Sequence, residues 1–118
     1  MATYNTKSYV QDRVEPNKVT LVGPSHTVSD IQNVAFGRTA PKPSGASLGV
    51  ARGEVKCVRT GVINASTGAK ANAQLGTNIS VPVGFNPTTL DDLIADYRAV
   101  VASADFVNLV KNGKVNVT

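Results

Sequence analysis

Residues 74–101 read QLGTNISVPVGFNPTTLDDLIADYRAVV, and within this stretch the periodicity changes from that of a strand to that of a helix. Over residues 74–83 apolar side chains occupy odd positions and polar side chains occupy most even ones, so a strand here has one apolar and one polar face. After Pro87 the apolar residues recur every three or four positions and form a single helical stripe. The stripe consists of Leu90, Leu93, Ile94, Tyr97, Val100 and Val101. One face of the predicted sheet is therefore expected to be covered by helices, whereas the other stays polar.

A second strand, predicted over residues 50–62, repeats this alternation and adds charge to one face. Arg52 and Lys56 occupy even positions, opposite in parity to Val55 and Cys57. Arg59 breaks the pattern on the apolar side, and we expect it near a strand end or paired with an acid. A sheet with one basic, polar face fits a polyanionic partner.

The remaining residues before the helix predict shorter strands and two loops. Strands over residues 6–10 and 17–22 flank a proline turn and form a hairpin. A strand over residues 28–38 is followed by a proline-rich loop, and the small, polar residues 63–70 form a flexible loop between the two long strands. The sequence thus predicts an antiparallel sheet of about five strands.

Two helices are predicted at the C-terminal end of the chain. Thr88 or Thr89 is the expected N-cap of the first helix, with Asp91 and Asp92 in its first turn, where they favour the helix dipole. Ser103 is the expected N-cap of a shorter second helix. The fold class is therefore α+β.

The length and composition indicate one domain with a modest, aliphatic core. The chain has 118 residues, of which 42% are hydrophobic and 5% aromatic. We expect a single domain over residues 1–118, with a hairpin in 1–22, the main sheet in 28–84 and helices in 88–113.

The charge and the cysteine content narrow the class of protein further. The net charge of +4 and the pI near 9.5 indicate either an anionic partner on the sheet side or a mildly basic protein without one. Cys57 is the only cysteine, so no intrachain disulfide forms, and we expect it to be a small buried hydrophobe. No apolar run approaches the length of a membrane span, and the N-terminus does not resemble a signal peptide.

No group of residues in the sequence indicates an active site, a metal site or a cofactor. His26 is the only histidine and follows a Gly-Pro turn, which is typical of a loop residue. Asp91, Asp92 and Asp96 resemble an acid pair, but at the start of a helix such residues more often serve as caps and as solvated surface. We therefore predict that the protein is not an enzyme.

Five cations lie within 22 residues, and they form either a shared patch or ordinary solvated surface. They are Arg38, Lys42, Arg52, Lys56 and Arg59. No Tyr or Phe lies between residues 37 and 84, so the aromatic platform of many single-strand RNA binders is missing.

The order of a hairpin, long antiparallel strands and two C-terminal helices resembles the coat proteins of small single-stranded RNA bacteriophages. Residues 33–45, NVAFGRTAPKPSG, are similar to a strand and proline-lysine loop in one branch of that family. Residues 78–83, NISVPV, are similar to the end of its last strand, and residues 89–113 are similar to its paired helices. The resemblance covers roughly residues 17–113.

This resemblance implies a structural protein that assembles with copies of itself. In the family, two chains form an intertwined homodimer in which the sheets join edge to edge and the helices pack over the partner's sheet. Dimers close into an icosahedral shell around single-stranded genomic RNA, and one RNA hairpin, bound by a dimer, represses translation of the replicase. The expected location is the virion, assembled in the cytoplasm of the bacterial host, with no membrane partner.

The resemblance also implies roles for particular residues. The expected RNA-binding residues are Arg38, Arg52, Lys56, Gln74, Asn78 and Ser80. The expected dimer-interface residues are Leu90, Leu93, Ile94, Tyr97, Val101, Phe106 and Leu109. The loop expected between dimers contains Asn64, Ala65, Ser66, Thr67 and Gly68. Gln74 stands where members of the family stack a hairpin base on tyrosine, so hairpin recognition is expected to be weak or differently built, whereas non-specific packaging needs only cations.

Two other classes of protein remain open at this stage. One is a cellular RNA-binding module that uses the basic sheet face without forming a shell. The other is a small enzyme with a substrate pocket on the sheet, which would need a catalytic group of residues that the sequence does not offer.

Overall fold

A computed structural model describes residues 2–46 and 48–115. The chain divides between Val83 and Gly84 into two compact units, and each is described by itself. The first unit is a six-stranded antiparallel sheet in which each strand pairs with the next along the chain. The strands are β1 (Ala2–Tyr4), β2 (Lys7–Glu15), β3 (Lys18–Val22), β4 (Gln32–Thr39), β5 (Val50–Asn64) and β6 (Ala69–Pro82). The predicted α+β class is confirmed, with one strand more than expected.

The two longest strands, β5 and β6, form a hairpin with the alternation that the sequence predicts. Cys57 lies opposite Leu75, whereas Arg52 lies opposite Ser80, so apolar and polar pairs alternate along the ladder. The connection is shorter than the predicted loop over residues 63–70, because the strands extend to Asn64 and from Ala69. The Asn64 side-chain oxygen accepts a hydrogen bond from the Ser66 N–H at 3.0 Å, as in an Asx turn.

The short N-terminal strand β1 is the element that the sequence analysis missed. It pairs with β2 through a tight turn in which Asn5 and Thr6 have positive φ angles of 50° and 62°. The Tyr4 ring centroid lies 5.6 Å from that of Tyr9 and 6.4 Å from that of Phe36 on β4. The sheet therefore curls so that β1 comes over the face that carries Phe36.

The core of the sheet is small and lies on one face. Tyr9, Leu21 and Val34 are its buried hydrophobic side chains among the described residues. Leu21 is paired with Val34, and Val34 with Cys57. Leu21 and Val34 therefore lie on the face defined by the odd positions of β5 and β6, and Tyr9 packs with them. We call this surface the apolar face, and the opposite surface the polar face. The expectation of a buried Cys57 is wrong for the isolated chain, since its side chain is exposed.

A hydrogen-bonded loop joins β3 to β4 and gives His26 a structural role. The buried Gln32 side chain accepts a hydrogen bond from the Ser25 N–H at 2.7 Å, and the Gln32 N–H donates to His26 Nδ1 at 3.1 Å. A Cβ at Gly23 would lie 2.6 Å from Gln32 Oε1, so the close approach requires glycine.

The second unit contains two helices, α1 (Pro87–Val101) and α2 (Ala104–Asn112). The N-cap of α1 is Asn86, whose side chain accepts hydrogen bonds from the N–H groups of Thr88 and Thr89 at 2.9 and 3.2 Å. The predicted N-cap at Thr88 or Thr89 is therefore wrong, because Pro87 is tolerated at N1 and the residue before it can cap.

The corrected start of α1 also moves its acids. The first turn of α1 contains no acidic residue, because Asp91 and Asp92 lie beyond it. The predicted start of α2 is confirmed, since Ser103 Oγ accepts a hydrogen bond from the Phe106 N–H at 3.3 Å. Over the described residues, neither helix has the length and hydropathy needed to cross a membrane.

Candidate nucleic-acid interface

The strand register places the two central cations of β5 on the polar face, because residues directly opposite in an antiparallel pair share a face. Arg52 lies between Thr39 of β4 and Ser80 of β6. Lys56 lies between Ala35 and Gly76, and the absence of a side chain at Gly76 leaves space for the Lys56 stem. Four residues of strand separate the two cations by about 13 Å.

The polar residues predicted on β6 lie on this same face. Ser80, Asn78 and Gln74 are opposite Arg52, Glu54 and Val58, in that order. All three β6 side chains are exposed. The structure thus brings together five of the six predicted RNA-binding residues, with their function still a prediction.

Arg38 does not join them. It lies opposite Gly53, two residues beyond Phe36, and so belongs to the apolar face. Its Nε donates a hydrogen bond to Asn17 Oδ1 at 3.3 Å. The expectation that Arg38 shares a face with Arg52 is wrong, since a period of two relates residues within one strand but not between strands. The parity of Val34 and Phe36 was the signal that could have assigned it.

Lys18 takes the place on the polar face that Arg38 was expected to fill. It lies opposite Gly37, whose other neighbour is Glu54, so Lys18 belongs to the polar face. Sequence reasoning missed it because β3 is short. Its parity, opposite to that of Val19 and Leu21, was the available signal.

Among the described residues of the polar face, Lys56 makes an ion pair, whereas Arg52 and Lys18 make none. Lys56 Nζ lies 3.3 Å from Glu54 Oε1, with both side chains more than 40% exposed. Exposed pairs of this kind contribute little to stability, so Lys56 can exchange its partner for a phosphate. Lys70 pairs with Asp30 at 2.9 Å. Arg52 makes no ion pair with the described part of the chain.

Along the described strands, the polar face carries no aromatic side chain on which a base could stack. The aromatic side chains of the sheet strands are Tyr4, Tyr9 and Phe36. The Tyr4 ring packs against the rings of Tyr9 and Phe36 on the apolar face. The arrangement of Lys18, Arg52 and exposed amides suits phosphate and sugar contacts rather than base stacking.

The helical stripe predicted for the dimer interface is exposed in the isolated chain. Leu93, Ile94 and Tyr97 are 55%, 49% and 46% exposed, and α1 contains no buried residue. The remaining predicted interface residues are Leu90, Val101, Phe106 and Leu109, which are half-buried or exposed. The apolar face of the sheet is also open, with Leu75 50% and Ile79 43% exposed. Apolar surfaces of this extent usually mark interfaces.

The described residues contain no group of three or more His, Cys, Asp or Glu side chains that could hold a metal ion.

The loop residues Asn64, Ala65, Ser66, Thr67 and Gly68 are all exposed, and Gly68 has a φ angle of 73°.

Comparison with known proteins identifies the fold. No family model and no curated protein matches the sequence. Chains of two virus-like particles, of Beihai levi-like virus 32 and Wenzhou levi-like virus 4, each superpose with a TM-score of 0.77 at 16% identity. The alignments cover 98% and 100% of this chain and 92% and 82% of those chains. A chain from the virus-like particle of bacteriophage AVE019 gives 0.76 at 16% identity, over 99% of this chain and 94% of that one.

These similarities define the class of protein by its fold. The curled antiparallel sheet followed by two helices is the fold of subunits in levi-like virus and bacteriophage particles. The resemblance to levivirus-like coat proteins predicted from residues 33–45, 78–83 and 89–113 is thereby confirmed at the level of the fold.

Proposed function

We propose that this chain is a structural, non-enzymatic capsid protein that dimerises and assembles into an icosahedral shell around single-stranded RNA. The observation that carries the proposal is the exposure of two apolar surfaces, the sheet face and the helical stripe, in a fold shared with particle-forming chains. Among the described residues, three buried hydrophobic side chains are a very small core for a chain of this length. Much of the stability must then come from association, which is typical of obligate oligomers.

The long edge of the sheet supports a dimer in which two sheets join. β6 has 14 residues and forms one edge of the sheet, next to β5. Long uncovered edge strands are templates for pairing with another chain. Joining two β6 strands would unite the polar faces of both chains, while the helices of each cover the apolar face of the other. The whole chain then acts as one coat-protein domain.

The polar face supports packaging of RNA inside the shell. Arg52, Lys56 and Lys18 repeat over every subunit, so weak contacts with phosphate are multiplied. Gln74, Asn78 and Ser80 add hydrogen-bonding groups for sugar or base edges. Binding of one RNA hairpin as a translational repressor belongs to this proposal as a secondary role. The expected site of assembly is the host cytoplasm, and the product is the virion.

Electron microscopy of the purified recombinant protein tests the proposal against its main alternative. Closed particles of uniform size, containing nucleic acid, are expected for a capsid protein. Small soluble species alone would favour a cellular RNA-binding module that uses the same basic face. The RNA content of the particles should be measured before and after nuclease treatment, because RNA inside a closed shell is protected.

We expect changes in the loop of residues 64–68 to affect particles more than dimers. Its exposed, small residues lack an apolar anchor, so we propose that neighbouring dimers order it. Replacing Ala65 and Ser66 by glutamate should lower the disassembly temperature of particles or change their size. The free energy of unfolding of dissociated dimers, measured in urea, should change by less than about 0.5 kcal/mol.

The control adds the same two charges on the polar side of α1, at Thr88 and Ala95, which are both exposed and lie away from the stripe. Particles of this control variant should keep the wild-type disassembly temperature. A loss of stability in the dissociated dimer that equals the loss in the particle would contradict the assignment of this loop.

A further inference from the structure

Besides Arg38, which is hydrogen-bonded to Asn17, the apolar face carries two cations that the proposed RNA face leaves unexplained, Arg59 and Lys7. Arg59 lies opposite Gln32 and Ala73, and Lys7 lies opposite Tyr4. Neither side chain makes an ion pair with the described residues. A cation on an otherwise apolar surface is costly to cover unless an opposite charge meets it.

The two cations help to line a shallow hollow in the sheet. The hollow has a volume of about 200 Å³, and its lining includes Lys7, Arg59, Tyr9, Cys57 and Leu75. Cys57 and Leu75 are exposed in the isolated chain. A hollow lined by both apolar and cationic side chains fits a helix that has an apolar stripe bordered by acids.

Helix α1 has such a border on one side of its stripe. Asp96 follows Leu93 by three residues and precedes Val100 by four, so it adjoins the stripe, and Asp92 lies one turn before it on the same flank. The other flank carries Asp91 together with Arg98, whose charges offset each other. None of the three aspartates caps a helix or forms an ion pair with the described residues.

We propose that the hollow receives α1 of a second copy of this chain, with Asp96 of that copy meeting Arg59 and with Lys7 adding to the attraction. The inference rests on the proposed dimer and adds to it a charge pair that fixes how the helix lies on the sheet. The apolar contact stabilises the dimer. The ion pair fixes the register of α1 on the partner's sheet, because an Asp96 displaced from Arg59 would be buried without a partner charge.

Charge reversal in separate chains gives a test that distinguishes contacts between chains from contacts within one chain. Arg59→Asp alone and Asp96→Arg alone place like charges at both symmetric contacts of a dimer. Each variant should raise the dimer dissociation constant about tenfold or more, measured by analytical ultracentrifugation. In an equimolar mixture, every heterodimer has one wild-type pair and one reversed pair. The mixture should therefore form heterodimers with a dissociation constant close to that of the wild-type dimer.

The controls separate this inference from the proposed function. Asp91→Arg makes the same change of charge on the other flank and should leave the dissociation constant within about twofold of wild type. If the wild type dimerises and both single variants dimerise equally well, the ion pair is wrong while the dimer stands. If the single variants are weakened but the mixture gives no recovery, the contact does not join two copies and the inference is overturned. A wild type that stays monomeric would overturn the proposed function itself.

Discussion

Replacing Leu93 by aspartate is expected to abolish particle formation and to leave unassembled or insoluble protein. Leu93 lies in the middle of the α1 stripe and is 55% exposed in the isolated chain. In the proposed dimer this side chain is covered by the apolar face of the partner. A carboxylate covered without a partner charge costs about 3–5 kcal/mol, and the twofold symmetry of a dimer applies that cost twice. Ile94→Asp should behave in the same way.

A matched control for this prediction is Ala95→Asp. Ala95 is exposed and lies on the side of α1 away from the stripe, so the new charge stays in solvent. The lower helix propensity of aspartate costs less than about 1 kcal/mol, and particles should still form. Size-exclusion chromatography and electron microscopy of the three variants give the answer. Normal particles from Leu93→Asp or Ile94→Asp would show that the stripe is not the interface.

The regular elements could be predicted because their periodicity extends over many residues. In β5 and β6 the alternation runs over more than ten residues, and the structure keeps both the strands and their faces. The stripe of α1 predicted the helix and its end near Ala102, which is the C-cap. The predicted N-cap falls too late, because the pattern does not show that Pro87 itself occupies the first helical position.

Relations between elements could not be predicted from periodicity in the same way. Parity alone predicts Arg38 on the same face as Arg52, whereas the register of β4 on β5 sets Arg38 opposite Gly53. β1 escaped notice because three residues carry no periodic signal and depend on packing of Tyr4 against Tyr9 and Phe36. The parity of Cys57 predicts the correct face, but the side chain is exposed in the isolated chain and would be covered only in the proposed dimer.

The second large effect is expected from removing the two central cations of the polar face. Arg52→Ala combined with Lys56→Ala should lower the RNA content of purified particles without preventing assembly. Both side chains lie on the polar face, outside the small core, and Lys56 has only the exposed pair with Glu54 to lose. Exposed pairs contribute at most about 1 kcal/mol, so folding should survive.

The salt dependence of RNA binding gives this prediction its quantitative form. Each phosphate neutralised on a single strand contributes about 0.7 to the slope of log affinity against log salt concentration, so the double variant should lose roughly one to one and a half units. Because Glu54 partly offsets Lys56, Arg52→Ala alone should account for the larger share. The control is Lys111→Ala with Lys114→Ala, which removes the same net charge from the other unit of the chain. A wild-type slope and wild-type RNA content in the β5 double variant, matching that control, would mean that these cations only keep the sheet soluble.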